Sequence, residues 1–270
     1  MKSLKSRLKI LKSHFGALPI DARTVQRVDG FISARQKEGV GNRTINRDLV
    51  VLHHMYEWAV SRKYLEENPI AKIERLEEVE WVGDRPDESA IDEIFGHLHE
   101  AVVPVFTFLR ETGSRRGEAI TLRRPQIDFA RAQVVFHSNT KNGKSRQVPL
   151  TKAALCAIAA MPAHGPTVFY HPETLKPWTG DSVAEQWERA REAAGHEGLR
   201  IHDLRHAYGI RLAEEGCPMH FISEVMGHHS IDFTRRNYAR FSPDSASRAV
   251  LKVLEGRKSA NLRRVGCSIG

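Results

Sequence analysis

The residue pattern of this chain predicts a mainly α-helical protein with one small antiparallel β-sheet, divided into two units. Three observations carry that expectation. Apolar residues recur at helical spacing along most of the 270 residues; one pair of alternating runs flanks an Asn-Gly turn; and a stretch of acids, glycine and proline near residue 80 interrupts the helical pattern. Apolar residues at 41% and charged residues at 27% give the balance of an ordinary globular protein.

The first unit is read as helical throughout. Residues 1–12 carry five Lys or Arg and no acid, with Leu4, Leu8, Ile10 and Leu11 spaced as a helix with one basic face. Helices follow at about 21–38 and 42–61, with Asn42 as N-cap of the second, and a short one near 68–77 after Pro69. Within 42–61, Ile45, Leu49, Leu52, Met55 and Trp58 form one apolar stripe, which predicts core. Arg43 and Arg47 lie four apart on another face, either solvated or within reach of phosphates. The boundaries that follow are 1–78 for the helical unit, 79–86 for a linker, 87–258 for the second unit and 259–270 for a tail.

The second unit opens with Ser89 ahead of a helical run to about His99. An apolar helix, Val102–Leu109, then stops at Thr112-Gly113, and Ser114 is placed to cap a helix bearing Arg115, Glu118, Ile120 and Leu122. Alternating residues at 132–136 and 147–150, joined across Asn142-Gly143, predict a hairpin with Lys141 at its tip end and Lys144 just beyond. Helices are expected at about 151–160, 180–194, 202–215, 218–227 and 243–255. The last, with Val250, Leu251, Val253 and Leu254 along one side, can dock on its own unit or on a neighbouring copy.

A net charge of +8 points to a polyanionic partner, nucleic acid first among them. The cysteines, Cys156, Cys217 and Cys267, form neither a disulfide framework nor a CxxC zinc pair, which suits a reducing cytoplasm. No apolar run approaches the roughly 18 residues of a membrane span.

The last quarter concentrates chemistry: His202-Asp203-Leu204-Arg205, Gly227-His228 and a single downstream tyrosine, Tyr238. Cleaving a phosphodiester without a metal needs planar cations on the non-bridging oxygens, and guanidinium groups supply paired hydrogen bonds where lysine does not. Arg115 and Arg205 are the candidates for that clamp. A phenol can attack and later leave, which suits Tyr238, and the departing sugar oxygen needs a proton donor, which suits Lys141 on a hairpin.

Thr112-Gly-Ser-Arg115-Arg-Gly-Glu118, Lys141 in a hairpin ending Val148-Pro-Leu150, His202-Asp-Leu-Arg205-His206, Met226-Gly-His228 and Tyr238 together resemble the successive signatures of the tyrosine recombinases, or phage integrase family. The resemblance covers about 87–258; the first unit is similar in kind to the helical core-binding domain of that family. It implies two domains closing around duplex DNA as a clamp. It also implies Arg115, Arg205 and His228 on the scissile phosphate, Lys141 as general acid, His202 assisting proton transfer and Glu118 orienting Arg115. Tyr238 would form a 3′-phosphotyrosyl bond that a 5′-hydroxyl from a partner duplex reseals, with no cofactor, metal or ATP. The implied working unit is a tetramer on two DNA sites, with accessory DNA-bending or directionality proteins as further partners. Arg235 and Arg236, beside the nucleophile, join Arg43, Arg47 and Lys144 as candidate DNA contacts.

One departure stands out: Tyr238 lies ten residues after His228, where the family commonly has nine, so either His228 or His229 fills the histidine role, with a loop bulge absorbing the extra residue. His202 and His206 have the spacing of an HExxH zinc helix, but Asp203 replaces the glutamate and Arg205 would set a cation beside the metal. His206 is therefore expected to pack or hydrogen-bond near the site, and Tyr208, six residues from His202 on the same helix, to point away from it. The alternatives to recombination are a type IB topoisomerase, with the same covalent chemistry and no strand exchange, and a DNA-binding regulator without catalysis.

Overall fold

A computed structural model describes residues 2–16, 19, 25–78, 86–137 and 145–242. The chain divides into two compact units, Met1–Trp81 and Val82–Gly270.

In the first unit, helices α1 (Lys2–Phe15), α2 (Val25–Lys37) and α3 (Asn42–Ser61) share a core of Leu11, Phe15, Val28, Phe31, Ile45, Leu49, Leu52 and Tyr56. Asp48 of α3 is fully buried and held by Arg7 of α1, with Arg35 of α2 at 3.9 Å, so one carboxylate ties three helices. Three expectations fail here. Gly41, not Asn42, is the N-cap of α3; Asn42 instead donates to the carbonyl of Glu77. Residues 73–78 form no helix, because the side-chain amide of Asn46 takes both the N–H and the C=O of Leu76 at 2.9 Å each and so replaces the bonds a helix would use. Trp58 is 55% exposed: after Met55 the stripe turns outward, Tyr56 and Ala59 fill the core instead, and the indole lies against Tyr64, with ring centroids 5.8 Å apart.

The second unit begins with α4 (Glu88–Gly96), capped by Asp87, whose side chain accepts from the Ser89 N–H; Ser89 is thus inside the helix rather than before it. The apolar helix α5 (Val103–Thr112) packs against α7 (Lys152–Ala159) and α9 (Ile201–Glu214). Between them run α6 (Arg116–Ile120) and a three-stranded antiparallel sheet in the order β1 (Ile127–Asp128), β2 (Gln133–Phe136), β3 (Arg146–Pro149). Strand β1 was invisible in the sequence, since two residues carry no alternation. In the β2–β3 register Phe136 pairs with Arg146; the turn and Lys141 lie outside the described residues. Helix α8 (Gly180–Ala193) contributes Trp187 to the core.

The described residues of this unit finish with α10 (Met219–Met226), α11 (Ile231–Tyr238) and a 3-10 turn, Ala239–Phe241. Residues 228–230 form a short non-helical link before α11, which ends at Tyr238. Ser230 caps α11, with Asp232 in its first turn and Arg235 and Arg236 in its last, the charge order a helix dipole favours. The helix expected at 243–255 lies outside the described residues.

Candidate functional site: a cationic cluster beside a buried phenol

Two similar devices start the helices that carry the basic groups. Arg115, not Ser114, is the N-cap of α6, and Glu118 three residues on accepts from the Arg115 N–H at 2.7 Å. Ser114 is buried instead, receiving a bond from Thr112 Oγ1. At the start of α9, Asp203 accepts from the Arg200 N–H at 2.8 Å and from the Arg200 guanidinium at 3.0 Å. In each case a carboxylate satisfies a donor that a helix start would leave unpaired. Along α9, His202, Arg205 and Gly209 then follow at helical spacing toward α10 and α11.

Helix α10 ends at Gly227 in the left-handed conformation, φ 62°. Three consecutive carbonyls there each receive one guanidinium: Val225 from Arg146 Nε at 2.9 Å, Met226 from Arg205, and Gly227 from Arg115 at 2.8 Å. Unpaired carbonyls and the negative dipole end attract cations. Glu118 completes the cluster, accepting from Arg115 Nη1 at 3.0 Å and from both terminal nitrogens of Arg146 at 2.8 and 2.6 Å. Two guanidiniums thus share one carboxylate, and the third, Arg205, lies on the same turn without one among the described residues.

Arg205 is almost fully buried, bonded to the carbonyls of Gly113 and Met226 and to no carboxylate among the described residues. Burial, with Arg115 and Arg146 nearby, pushes it down to about 10. Burial works to raise the Glu118 pKa, but the hydrogen bonds from Arg146 and from the Arg115 backbone override it and hold the carboxyl at about 2. The cluster therefore carries a surplus of positive charge, which an anion would neutralise. A cavity of about 430 Å³ opens beside it, lined by Ser114, Arg116, Trp187, Arg191, His202 and Arg205.

Tyr238, at the end of α11, is 1% exposed. Its ring stacks on His228, centroids 6.0 Å apart and planes 15° from parallel, and its hydroxyl lies 3.4 Å from His206 Nδ1. Burial raises the phenol to about 12, opposed by the charge of Arg205. Burial, then Arg205 and Arg115, lowers His228 to about 3; burial, then His202, lowers His206 to about 4. Burial and Arg205 lower His202 as well, although the residue is exposed. In all three the surroundings favour the neutral imidazole.

Of the expected site residues, the fold brings together Arg115, Glu118, Arg205, His228 and Tyr238. His202 meets this group through His206, with ring centroids 5.0 Å apart. His228 bonds Thr234 at 2.8 Å and faces the phenol, whereas His229 is exposed. Tyr208 is buried against Gly113, in the same apolar cluster as Tyr238. Lys141 and Lys144 lie outside the described residues; Arg235 and Arg236 are exposed, and Arg43, in the first unit, is paired with Glu78 at 3.0 Å. One member was missed. Arg146 sits in the sequence as one more basic residue near a turn, and only the Val-Pro-Leu that follows signals a strand able to bury it. His206 lies where it was expected, packed beside the site with Nδ1 in hydrogen-bond reach of the phenol.

A profile of the phage integrase family matches residues 87–244, more than half of the chain. The chain belongs to this family. Among its members, a shufflon-specific DNA recombinase of Escherichia coli is 28% identical over 217 residues, 76% of this chain and 53% of that protein. An integrase of Salmonella phage P22 is 30% identical over 202 residues, 70% of this chain and 50% of that protein. The chain thus spans about half the length of these integrase-family relatives. The fold is shared with a lambda integrase dimer bound to a COC′ core site, at a TM-score of 0.73 and 16% identity over 89% of this chain and 87% of that one. It is equally shared with a Tn1549 transposon integrase in complex with circular intermediate DNA, at a TM-score of 0.73 and 20% identity over 92% of both chains.

Among the described residues no helix is long and apolar enough to cross a membrane, and no group of three or more His, Cys, Asp or Glu could hold a metal ion.

Proposed function

We propose that the chain is a site-specific DNA recombinase of the integrase type, acting on double-stranded DNA in the cytoplasm for integration or excision of a mobile element. The observation that carries this reading is the surplus of guanidinium charge around Glu118, Arg115 and Arg205 next to the Tyr238 phenol. A phosphodiester is the anion whose chemistry needs both.

In this reading Arg115 and Arg205 bind the non-bridging oxygens of the scissile phosphate, with His228 donating a further bond. The Tyr238 oxygen attacks phosphorus as its proton passes to the neighbouring His206 imidazole, the bond to the 5′-oxygen breaks, and Lys141 protonates that oxygen as it leaves. The product is a 3′-phosphotyrosyl link and a free 5′-hydroxyl. Attack by a 5′-hydroxyl from a second duplex reverses the step, so no energy source is consumed. Glu118 orients Arg115, and His202 balances charge and proton movement through His206. Both units bind the duplex, Arg43, Arg47, Lys144, Arg235 and Arg236 contact its backbone, and four copies assemble on two sites, with accessory DNA-bending or directionality proteins. The residues hold no cofactor in this scheme.

A duplex nicked beside the scissile phosphate, chosen from sequences the chain retains in a binding selection, tests it. The expected result is a covalent protein–DNA band with the wild type that disappears in Tyr238→Phe. No band with the wild type overturns the enzymatic reading, and a band that persists in Tyr238→Phe overturns the nucleophile. Joined recombinants, as opposed to relaxed plasmid alone, separate strand exchange from topoisomerase action.

A further inference from the structure

We infer that Arg146 is a positioning residue for the phosphate clamp: it occupies Glu118 from the strand side and so leaves Arg115 open to substrate. The inference rests on the proposed role of Arg115.

The side chain of Arg146 is only 10% exposed, and its guanidinium lies 4.6 Å from the ring centre of its cross-strand partner Phe136. Nη1 and Nη2 grip the two Glu118 oxygens in a forked pair, while Nε donates to Val225. A Cβ at Gly227 would lie 2.8 Å from Arg146 Cδ, so the chain passes this guanidinium as closely as it can. Arg146 is thus buried, electrically matched and saturated on its reachable side, and it is no phosphate ligand. Arg115 differs. Its side chain is 49% exposed, it makes a single side-chain bond to Glu118, and its other nitrogen rests on the Gly227 carbonyl.

The carboxylate has two oxygens and two guanidinium claimants, besides the Arg115 N–H that one oxygen also accepts. Remove Arg146, and the stable arrangement for Glu118 is the forked pair with Arg115, since a two-bond ion pair outcompetes a one-bond contact. Arg115 would then be neutralised and turned away from substrate. Loss of Arg146 would also cut the tie between β3, the strand that follows Lys141, and the end of α10. Lysine keeps the charge and cannot reproduce the fork.

The test is a double-mutant cycle on full-length protein, reading the rate of covalent trapping and, separately, the affinity for the same duplex. Arg146→Gln is expected to slow trapping about 30- to 100-fold, as removal of one preorganised charge contact does, with affinity changed less than about threefold. Arg146→Lys should restore part of that rate. Arg115→Gln should be slow, and adding Arg146→Gln to it should slow it little further, because one residue acts through the other. Multiplying effects, or an affinity loss as large as the rate loss, would overturn the inference. If Arg146→Gln does not fold, the cycle is run with Arg146→Lys. A wild type that binds duplex without covalent trapping would sink the recombinase reading alone. The cycle is then read in the salt dependence of affinity, where each single variant should lower the slope by about one and the pair no further; additive slopes overturn it.

Discussion

Gly209 and Tyr238 touch so closely that a Cβ on the glycine would lie 2.6 Å from the phenol ring carbon and 2.8 Å from Met226 Sδ. Alanine at 209 would gain about 1 kcal/mol of helix propensity. The overlap costs about 1–3 kcal/mol and falls on a buried ring and a buried thioether rather than on a free side-chain end. Gly209→Ala is therefore expected to lower the unfolding midpoint and to turn Tyr238 outward, read as increased reactivity of a single tyrosine toward an aqueous modifying reagent. An unchanged midpoint with unchanged reactivity would contradict the packing.

The unneutralised guanidiniums predict an anion effect on stability. Inorganic phosphate at about one hundred times its dissociation constant would add about 2.7 kcal/mol, several degrees in the midpoint for a unit of this size. Arg115→Gln should remove most of this gain. An equal gain in wild type and variant would place the anion elsewhere.

The buried imidazoles set a pH window. His206 and His228 have folded pKa values of about 4 and about 3, below the ordinary value of 6.5, so folding favours their neutral forms. Their contribution is complete above pH 6.5 and drains away as pH falls toward 3 to 4. Glu118, held at about 2, adds a loss of the same sign below pH 4.5. Unfolding midpoints should fall steadily from pH 6.5 to 4, and His228→Gln should flatten the curve. A wild-type curve already flat across that range would refute these shifts.

In the first unit, Asp48→Asn removes a fully buried carboxylate from beside Arg7 and Arg35, whose side chains are 17% and 12% exposed. Breaking a buried pair costs about 3–5 kcal/mol when the remaining charge is sealed in. These two arginines reach some water, so about 2–3 kcal/mol is expected here, measured by denaturant unfolding of the unit. A loss under about 0.5 kcal/mol, the range of an ordinary surface change, would contradict it.

How far the sequence could be read depended on the range of the interaction. Helix positions, the strand pair and the Arg115, Arg205 and Tyr238 assignments rest on local periodicity and on residue types that phosphate chemistry demands. The helix caps failed at Asn42, Ser89 and Ser114 because several polar residues compete at each start, and the winner depends on which backbone donor lies in reach. The helix expected near 68–77 failed because Asn46, some thirty residues upstream, satisfies Leu76. Arg146 went unnoticed for the same reason: its partners, Glu118 and Val225, are 28 and 79 residues away in the chain.

The end of α10 works as a common datum for the basic groups. Since Val225, Met226 and Gly227 each hold one of the three guanidiniums, any shift of that turn moves Arg146, Arg205 and Arg115 together and preserves their mutual spacing. Residues 228–238 lie downstream of the datum and hold His228 and Tyr238 but none of the three guanidiniums. A change of length between those two residues acts on the reach of the phenol and leaves the cations on the turn, so the ten-residue interval is set apart from the cationic frame.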